Sequence, residues 1–281
     1  MRAVLLDGRA AARAMLAEVR EGASRFRQER GRPVGLAFVT VGADEAASSY
    51  VRGRESAAAK VGFYSELHAL SPKMGTGALR RFVARLAESE EIDGIIVSLP
   101  LPEGLDEDEA LSGLSYRKDV DGVTSESTGR SLAGLRSFWP CTAEAVVELL
   151  RFSGTPLDGA EAVVVGRSRV VGRPTALLLL AENATVTVAH SHTKDLAALS
   201  ARADILVAAV GRPHFITPAM VRPGAVVVDV GIHEVDGHLT GDVDPAVADV
   251  AKALSPVPGG VGPLTSAILM RHALEAATWP S

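Results

Sequence analysis

The sequence predicts an α/β protein of two domains, each built on a parallel sheet, and three observations carry that prediction. Short apolar runs alternate with amphipathic stretches at helical spacing, first over 33–97 and again over 162–230. The runs of the second series are almost continuously apolar rather than alternating, as expected of strands covered on both faces. A polar, irregular tract over 115–140 separates the two series, and such tracts in compact domains link or serve function. A length of 281 residues suits two domains or one large one with a substantial core.

In chain order, 10–27 carries Ala, Leu and Val at helical spacing with charges opposite, and 33–41 is a buried strand ending at Gly42. Asp44 is placed to cap a helix that runs to Lys60 and closes at Gly62. A strand over 63–70, a helix over 76–88 and a strand over 92–97 complete the first series. The 115–140 tract holds Lys118-Asp-Val-Asp-Gly122 and is expected to lack regular structure. A helix over 142–152 leads into strands at 162–165, 185–189, 205–209 and 225–230, with helical pieces at 175–180, 196–201 and 217–221. The Pro/Gly loop 255–263 is followed by an amphipathic helix over 265–277.

A composition of 47% hydrophobic and 22% charged residues is globular rather than disordered. The net charge of −5 gives no support to a nucleic-acid or anionic-membrane partner. The single cysteine, Cys141, excludes a disulfide within the chain. The amino-terminal residues lack a signal-peptide core and no apolar run reaches membrane-spanning length, so the chain reads as a soluble cytoplasmic protein. No residue cluster suggests a metal site.

Ligands of parallel α/β sheets gather beyond the carboxyl ends of the strands. In the second series those ends are Gly166, His190-Ser191, Gly211-Arg212 and Gly231-Ile232. Val163-Val-Val-Gly166 runs through Arg167-Ser168-Arg169 to Gly172-Arg173-Pro174, a strand, a polar turn and a helix start. Free amides at such a helix start suit a pyrophosphate. The Gly-x5-Gly spacing is neither G-x-G-x-x-G nor a Walker loop, and alone such a turn serves packing as well as binding. The second strand ends without the acid that accepts from a ribose 2′-hydroxyl in NAD sites, while Arg167 and Arg173 stand in the turn, which points to NADP. In the first series Tyr50 and Arg54 share a helix face, Ser98 ends a strand, and Asp121 lies in the irregular tract; their spacing alone does not force them together. On residue type alone Tyr50 suits packing, and Asp119 and Asp121 suit turns.

Tyr50-Val51, Leu99-Pro-Leu-Pro102, Lys118-Asp-Val-Asp-Gly122, Pro140-Cys-Thr142, Val165-Gly-Arg-Ser168 with Val171-Gly172, and Pro256-Val-Pro-Gly-Gly-Val-Gly-Pro263 occur in this order. Together they resemble the bifunctional methylenetetrahydrofolate dehydrogenase/cyclohydrolase family, nearly end to end. The resemblance implies a folate-binding domain over 1–139, joined by the last helix at 264–281, and a Rossmann-like NADP domain over 140–263. A cleft between the domains and a homodimer are implied with it. Tyr50 matches the family's folate-stacking tyrosine and Asp121 its pterin-binding aspartate. Leu99, Pro100, Pro258, Gly259, Gly260 and Pro263 belong to the matching substrate loops. The family's catalytic lysine is replaced by Arg54, its glutamine by Ser98, and an asparagine of the dinucleotide turn by Arg169.

Hydride transfer asks mainly that two rings be aligned. Hydrolysis of the methenyl product asks for a base, and a lysine shifted from about 10.4 by about three units would supply one. An arginine starts above about 12 and would need a shift worth roughly 7 kcal/mol, so Arg54 is expected to stay a cation. The sequence therefore reads first as an NADP-dependent dehydrogenase of one-carbon metabolism with weak or lost cyclohydrolase activity. The fully bifunctional enzyme is the alternative, and a binding paralogue or an enzyme for another pterin-like substrate comes third.

Overall fold

The structure, a computed structural model, describes residues 2–42 and 45–280, with the backbone alone over 45–50. It forms two compact units, one of residues 1–12 with 142–265 and one of 13–141 with 266–281. In chain order the first elements are β1 (Val4–Leu5), α1 (Gly8–Arg30), β2 (Gly35–Val41), α2 (Glu45–Lys60), β3 (Tyr64–Leu70), α3 (Thr76–Glu88) and β4 (Gly94–Val97). Then come α4 (Glu107–Leu111), α5 (Ser125–Leu132), α6 (Cys141–Phe152), β5 (Glu161–Val165), α7 (Gly172–Ala181), β6 (Thr185–Ala189), α8 (Leu196–Ser200) and β7 (Ile205–Ala208). The chain ends with β8 (Val226–Asp229), β9 (His233–Val235), β10 (His238–Thr240), β11 (Ala253–Leu254) and α9 (Val261–Ala277). The segment expected as a helix over 217–221 is a short 3-10 turn, Pro218–Met220.

In the 13–141 unit the sheet runs β3-β2-β4, all parallel, with β2 buried along its whole length. Bidentate bonds from Arg32 to Asp93, at 2.7 and 2.8 Å, and a bond from Gly35 N to Asp93 at 2.9 Å fasten the start of β2 to that of β4. Gly62 closes α2 with φ +82°, the left-handed conformation that favours glycine. The expected cap at Asp44 lies outside the described residues.

The 115–140 tract is more ordered than its composition suggests. Ile95 N donates to Lys118 O at 2.8 Å, and Ile95 and Asp119 form a parallel bridge, so this backbone runs alongside β4. Thr124 then caps α5 by accepting from Ser127 N at 3.0 Å. The polar sequence of α5 hides it from an argument based on apolar periodicity. From 266 onward α9 packs in this unit: the buried His272 ring lies 4.7 Å from Phe138, and its Nδ1 meets Val120 O at 2.9 Å.

In the other unit the sheet order is β1-β11-β8-β7-β5-β6, parallel throughout among the described residues. Residues 1–12, expected in the first domain, thus place β1 in this sheet, beside β11. Strands β5, β7 and β8 are buried as their apolar runs predict. Strand β6 is not covered on both faces, since it is the sheet's edge and Val188 is 38% exposed. The β9–β10 hairpin turns at Asp236-Gly237, both with positive φ, a turn signal the sequence carried. Helix α9 starts at Val261, inside the Pro/Gly loop, after Gly260 N bonds Pro256 O at 2.7 Å. Gly8 opens α1 against this loop, and a Cβ there would overlap the carbonyl of Gly260.

Candidate functional site

Each unit has a topological switch point, and Arg54, Ser98, Asp121 and the 166–173 turn lie at these two places. In the 13–141 unit the chain leaves β2 for β3 on one side and returns to β4 on the other. The crevice of such a sheet opens beyond the carboxyl ends of the strands that flank the reversal, here β2 and β4. Helix α2 follows β2 and supplies Arg54; Ser98 follows β4, held by a bond from its N to Val39 O at 2.9 Å. The backbone bridge at Ile95–Asp119 carries Asp121 to this side of the sheet.

The structure brings two of these residues into contact. Arg54 Nη1 donates to Asp121 Oδ2 at 3.1 Å, the side chains being 7% and 16% exposed. An ion pair this shielded from bulk water is held more firmly than one on the open surface. Arg54 is therefore a fixed, neutralised cation. Its neighbour Asp119 serves a different purpose, since it is buried and accepts from Val123 N at 3.1 Å and Thr124 N at 2.9 Å. Burial pushes the Asp119 carboxyl above the usual carboxylate range, against the opposing pull of its bonds from Ser127, Thr124 and Val123. Both aspartates lie at the 119–122 turn, but of the two it is the Asp119 carboxylate that accepts from the loop's amides. Leu99 and Pro100, joined by a cis peptide, follow Ser98, with Pro100 exposed. The Tyr50 side chain lies outside the described residues.

In the other unit β5 is followed by β6 on one side and β7 on the other. A cavity of about 310 Å³ opens at these strands' carboxyl ends, walled by Gly166, Arg167, Ser168, His190, Ser191 and Arg212 among others. Among the described residues, its wall contains no carboxylate. The glycines shape the turn itself. Gly166 has φ +135° and a Cβ there would strike Ala209 O, while a Cβ on Gly172 would strike Gly166 O. The two ends of the five-residue turn thus touch backbone to backbone, which only glycine permits.

Two amides expected to be free for an anion are used internally. Gly172 N donates to Ser168 Oγ at 3.2 Å and Arg173 N to Ser168 O at 3.1 Å. Side chains are therefore the main cationic resource here. Arg167 lines the cavity, whereas Arg173 is exposed on α7 and outside the wall. Arg212, expected at a strand end but not assigned to the cofactor, lines it too, with its guanidinium 4.8 Å from the Phe215 ring centre. Its signal was available: it follows Gly211 at a strand end.

Gly211 and Gly231 were expected to admit a ligand to the backbone. A Cβ on Gly211 would meet open space, although its φ is +69°, while one on Gly231 would overlap the Asp242 carboxylate. Close packing within the protein explains Gly231. Ile232 beside it is 60% exposed. In the loop 255–263, Pro258 is exposed, Gly259 and Gly260 are buried, and Pro263 is half-buried. Among the described residues no metal-binding cluster is present and no helix is long and apolar enough to cross a membrane.

Comparison with known proteins matches residues 6–121 to the tetrahydrofolate dehydrogenase/cyclohydrolase catalytic domain and 140–280 to the NAD(P)-binding domain of the same name. The chain is 51% identical over 275 residues to "Bifunctional protein FolD 1" of Rubrobacter xylanophilus, covering 97% of this chain and 96% of that one. Among solved structures, the FolD methylenetetrahydrofolate dehydrogenase/cyclohydrolase of Campylobacter jejuni superposes with a TM-score of 0.94 at 35% identity, over 98% of both chains. The Trypanosoma brucei dehydrogenase-cyclohydrolase, solved with NADP cofactor and an inhibitor, gives 0.93 at 38% identity, over 99% of this chain and 98% of that one.

Proposed function

The chain belongs to the tetrahydrofolate dehydrogenase/cyclohydrolase family, and from that premise we propose that it oxidises 5,10-methylenetetrahydrofolate with NADP and hydrolyses the methenyl product to 10-formyltetrahydrofolate. The observation that carries the oxidation is the cavity at the ends of β5, β6 and β7, where arginines and a histidine line a glycine turn with no carboxylate beside them. Such a wall suits the extra phosphate of NADP and lacks the acid that would favour the bare ribose of NAD. When bound, NADP supplies the hydride acceptor. The chain's own residues bind and orient. Arg167, His190 and Ser191, with Arg173 at the start of α7, hold the 2′-phosphate side, and Gly166 and Gly172 fix the turn's shape. Gly211, Gly231 and Ile232, named with them from the sequence, lie outside the cavity wall, and Gly231 is accounted for by packing on Asp242.

On the folate side Asp121 accepts from the pterin's amino-pyrimidine edge, for which a carboxylate offers a two-pronged acceptor. Tyr50, Leu99 and Pro100 bound the same substrate. The bifunctional names of the relatives support hydrolysis as the second step. They move the balance away from the dehydrogenase-only reading that Arg54 and Ser98 suggest. One observation still favours slow hydrolysis: Arg54 is paired with Asp121 and remains protonated, so it orients water or substrate rather than removing a proton. A homodimer and a cytoplasmic location belong to the same proposal.

One reaction tests all of this. Purified protein with methylenetetrahydrofolate and NADP is followed for NADPH and methenyltetrahydrofolate together. NADPH rising while methenyltetrahydrofolate stays low supports the bifunctional enzyme; methenyltetrahydrofolate accumulating in step with NADPH supports the second reading. No NADPH above a protein-free blank rules out both, and binding of NAD as tight as that of NADP rules out the assignment of the arginines.

A further inference from the structure

Three consecutive amides at the end of β7 close around one buried carboxylate. Val210 N and Gly211 N donate to Asp242 Oδ2 at 2.6 and 3.0 Å, and Arg212 N donates to Asp242 Oδ1 at 2.9 Å. Gly211, with φ +69°, gives the turn the concave run of N–H groups that elsewhere receives a phosphate or another anion. Here the anion is supplied by the chain. Asp242 is fully buried, and His233 Nε2 lies 2.7 Å from its Oδ1. Its own backbone is fixed in turn: Asp242 N and Val243 N donate to the Asp229 carboxylate, each at 2.9 Å. Gly231 and Gly241 leave room for the two carboxylates, since a Cβ on either would overlap one of them. Val210 and Arg212, whose amides Asp242 holds, line the cavity of the proposed dinucleotide site, whereas Asp242 does not.

We propose that Asp242 is a positioning residue for nucleotide binding: it fills an internal anion nest and so sets the Val210–Arg212 wall of the cavity. The proposal rests on reading that cavity as the NADP site. Two opposing effects make it sharp. Removing a negative charge beneath a site for an anionic ligand would by itself tighten binding, because like charges repel. Loosening the wall would weaken it. An asparagine keeps one acceptor for the Val210 and Gly211 amides but turns an NH2 toward Arg212 N, so the Arg212 end of the wall is released.

The test is calorimetric titration of Asp242→Asn with NADP and, separately, with a tetrahydrofolate analogue, beside the parent protein. The expected result is NADP binding weakened about tenfold with the folate analogue within about twofold, and a raised KM for NADP with kcat at saturation nearly kept. Unchanged or tighter NADP binding overturns the proposal, as does an equal loss for both ligands, which marks a general structural effect. If Asp242→Asn does not fold, His233→Ala removes one of the carboxylate's fastenings from a half-buried position. It should weaken NADP a few-fold and spare the folate analogue, and no selective loss overturns the proposal there. A parent protein that binds no NADP instead defeats the dinucleotide reading, which is a different result from a variant that binds like its parent.

Discussion

The two switch points share one topology and use it differently. In both, an inner strand is followed by a neighbour on one side and then on the other, β2 with β3 and β4, and β5 with β6 and β7. At β2/β4 the strand-end chemistry is carried by a side-chain pair, Arg54 with the partly exposed Asp121. At β5/β7 it is carried by a turn shaped by glycines, with arginines on its rim. Each also has carboxylates turned onto the chain's own backbone: Asp119 in one unit, Asp229 and Asp242 in the other, all buried and all accepting from backbone amides. The difference teaches a way to sort acids. A buried carboxylate bonded to backbone N–H groups holds a loop, whereas the partly exposed Asp121, bonded to a side chain, is the one proposed to meet substrate.

The largest expected effect is on stability. Asp119→Ala leaves the buried Val123 and Thr124 amides and the Ser127 hydroxyl without this acceptor, at about 1–3 kcal/mol for each stranded group, so a loss of about 4 kcal/mol is expected by denaturant unfolding. A loss below about 1 kcal/mol would remove Asp119 from the loop-holding class.

The next is a pH effect. Burial, against the bonds it accepts from Val243, Asp242 and Gly231, raises the Asp229 pKa to about 6. A folded pKa above the unfolded value means that the native state holds the extra proton. Stability from this group is then fully present below about pH 4 and lost as pH rises toward 6, by about 3 kcal/mol in all. Asp229→Asn cannot titrate, so the parent's advantage over the variant should shrink across this window in parallel urea curves. A constant difference from pH 4 to 7 would contradict the assignment.

How much of this was legible beforehand depends on what each residue's role rests on. The strands at 35–41, 161–165, 205–208 and 226–229 were readable because apolar β-branched runs mean burial wherever they occur. Helix α5 was not, because Ser125–Leu132 is polar and rests on its Thr124 cap and on the Asp119 turn before it. The separation of Asp119 from Asp121 was equally invisible, since only the bridge to Ile95 decides which of them turns inward. Asp242 was missed for the same reason: its partners lie about thirty residues earlier in the chain. Arg167 and Arg173 were legible as arginines in a turn, but that only Arg167 lines the cavity depended on the start of α7.

That last distinction gives a smaller prediction. Arg167→Ala should weaken NADP about tenfold and leave NAD nearly unchanged, as loss of one charge-assisted bond of about 1.5–3 kcal/mol implies. Arg173→Ala should act in the same direction but less, because its side chain is exposed and screened. Equal loss for NAD and NADP would move both arginines out of 2′-phosphate recognition. The smallest expected effect lies at the other switch point. Arg54→Lys with Ser98→Gln should raise methenyltetrahydrofolate hydrolysis beyond the product of the single changes, by about 1 kcal/mol of coupling. Strict multiplicativity in the rates would show that the two positions do not act as a unit.

The contrast between the loop-holding carboxylates and Asp121 is tested most directly by Asp121→Asn. Binding of a tetrahydrofolate analogue and thermal unfolding are measured on the same preparation. The result expected is an affinity lowered about ten- to a hundredfold, with Tm within a few degrees of the parent because Arg54 keeps an amide oxygen to bond. An unchanged affinity together with a large fall in Tm would place Asp121 beside Asp119 as a structural acid and contradict the account.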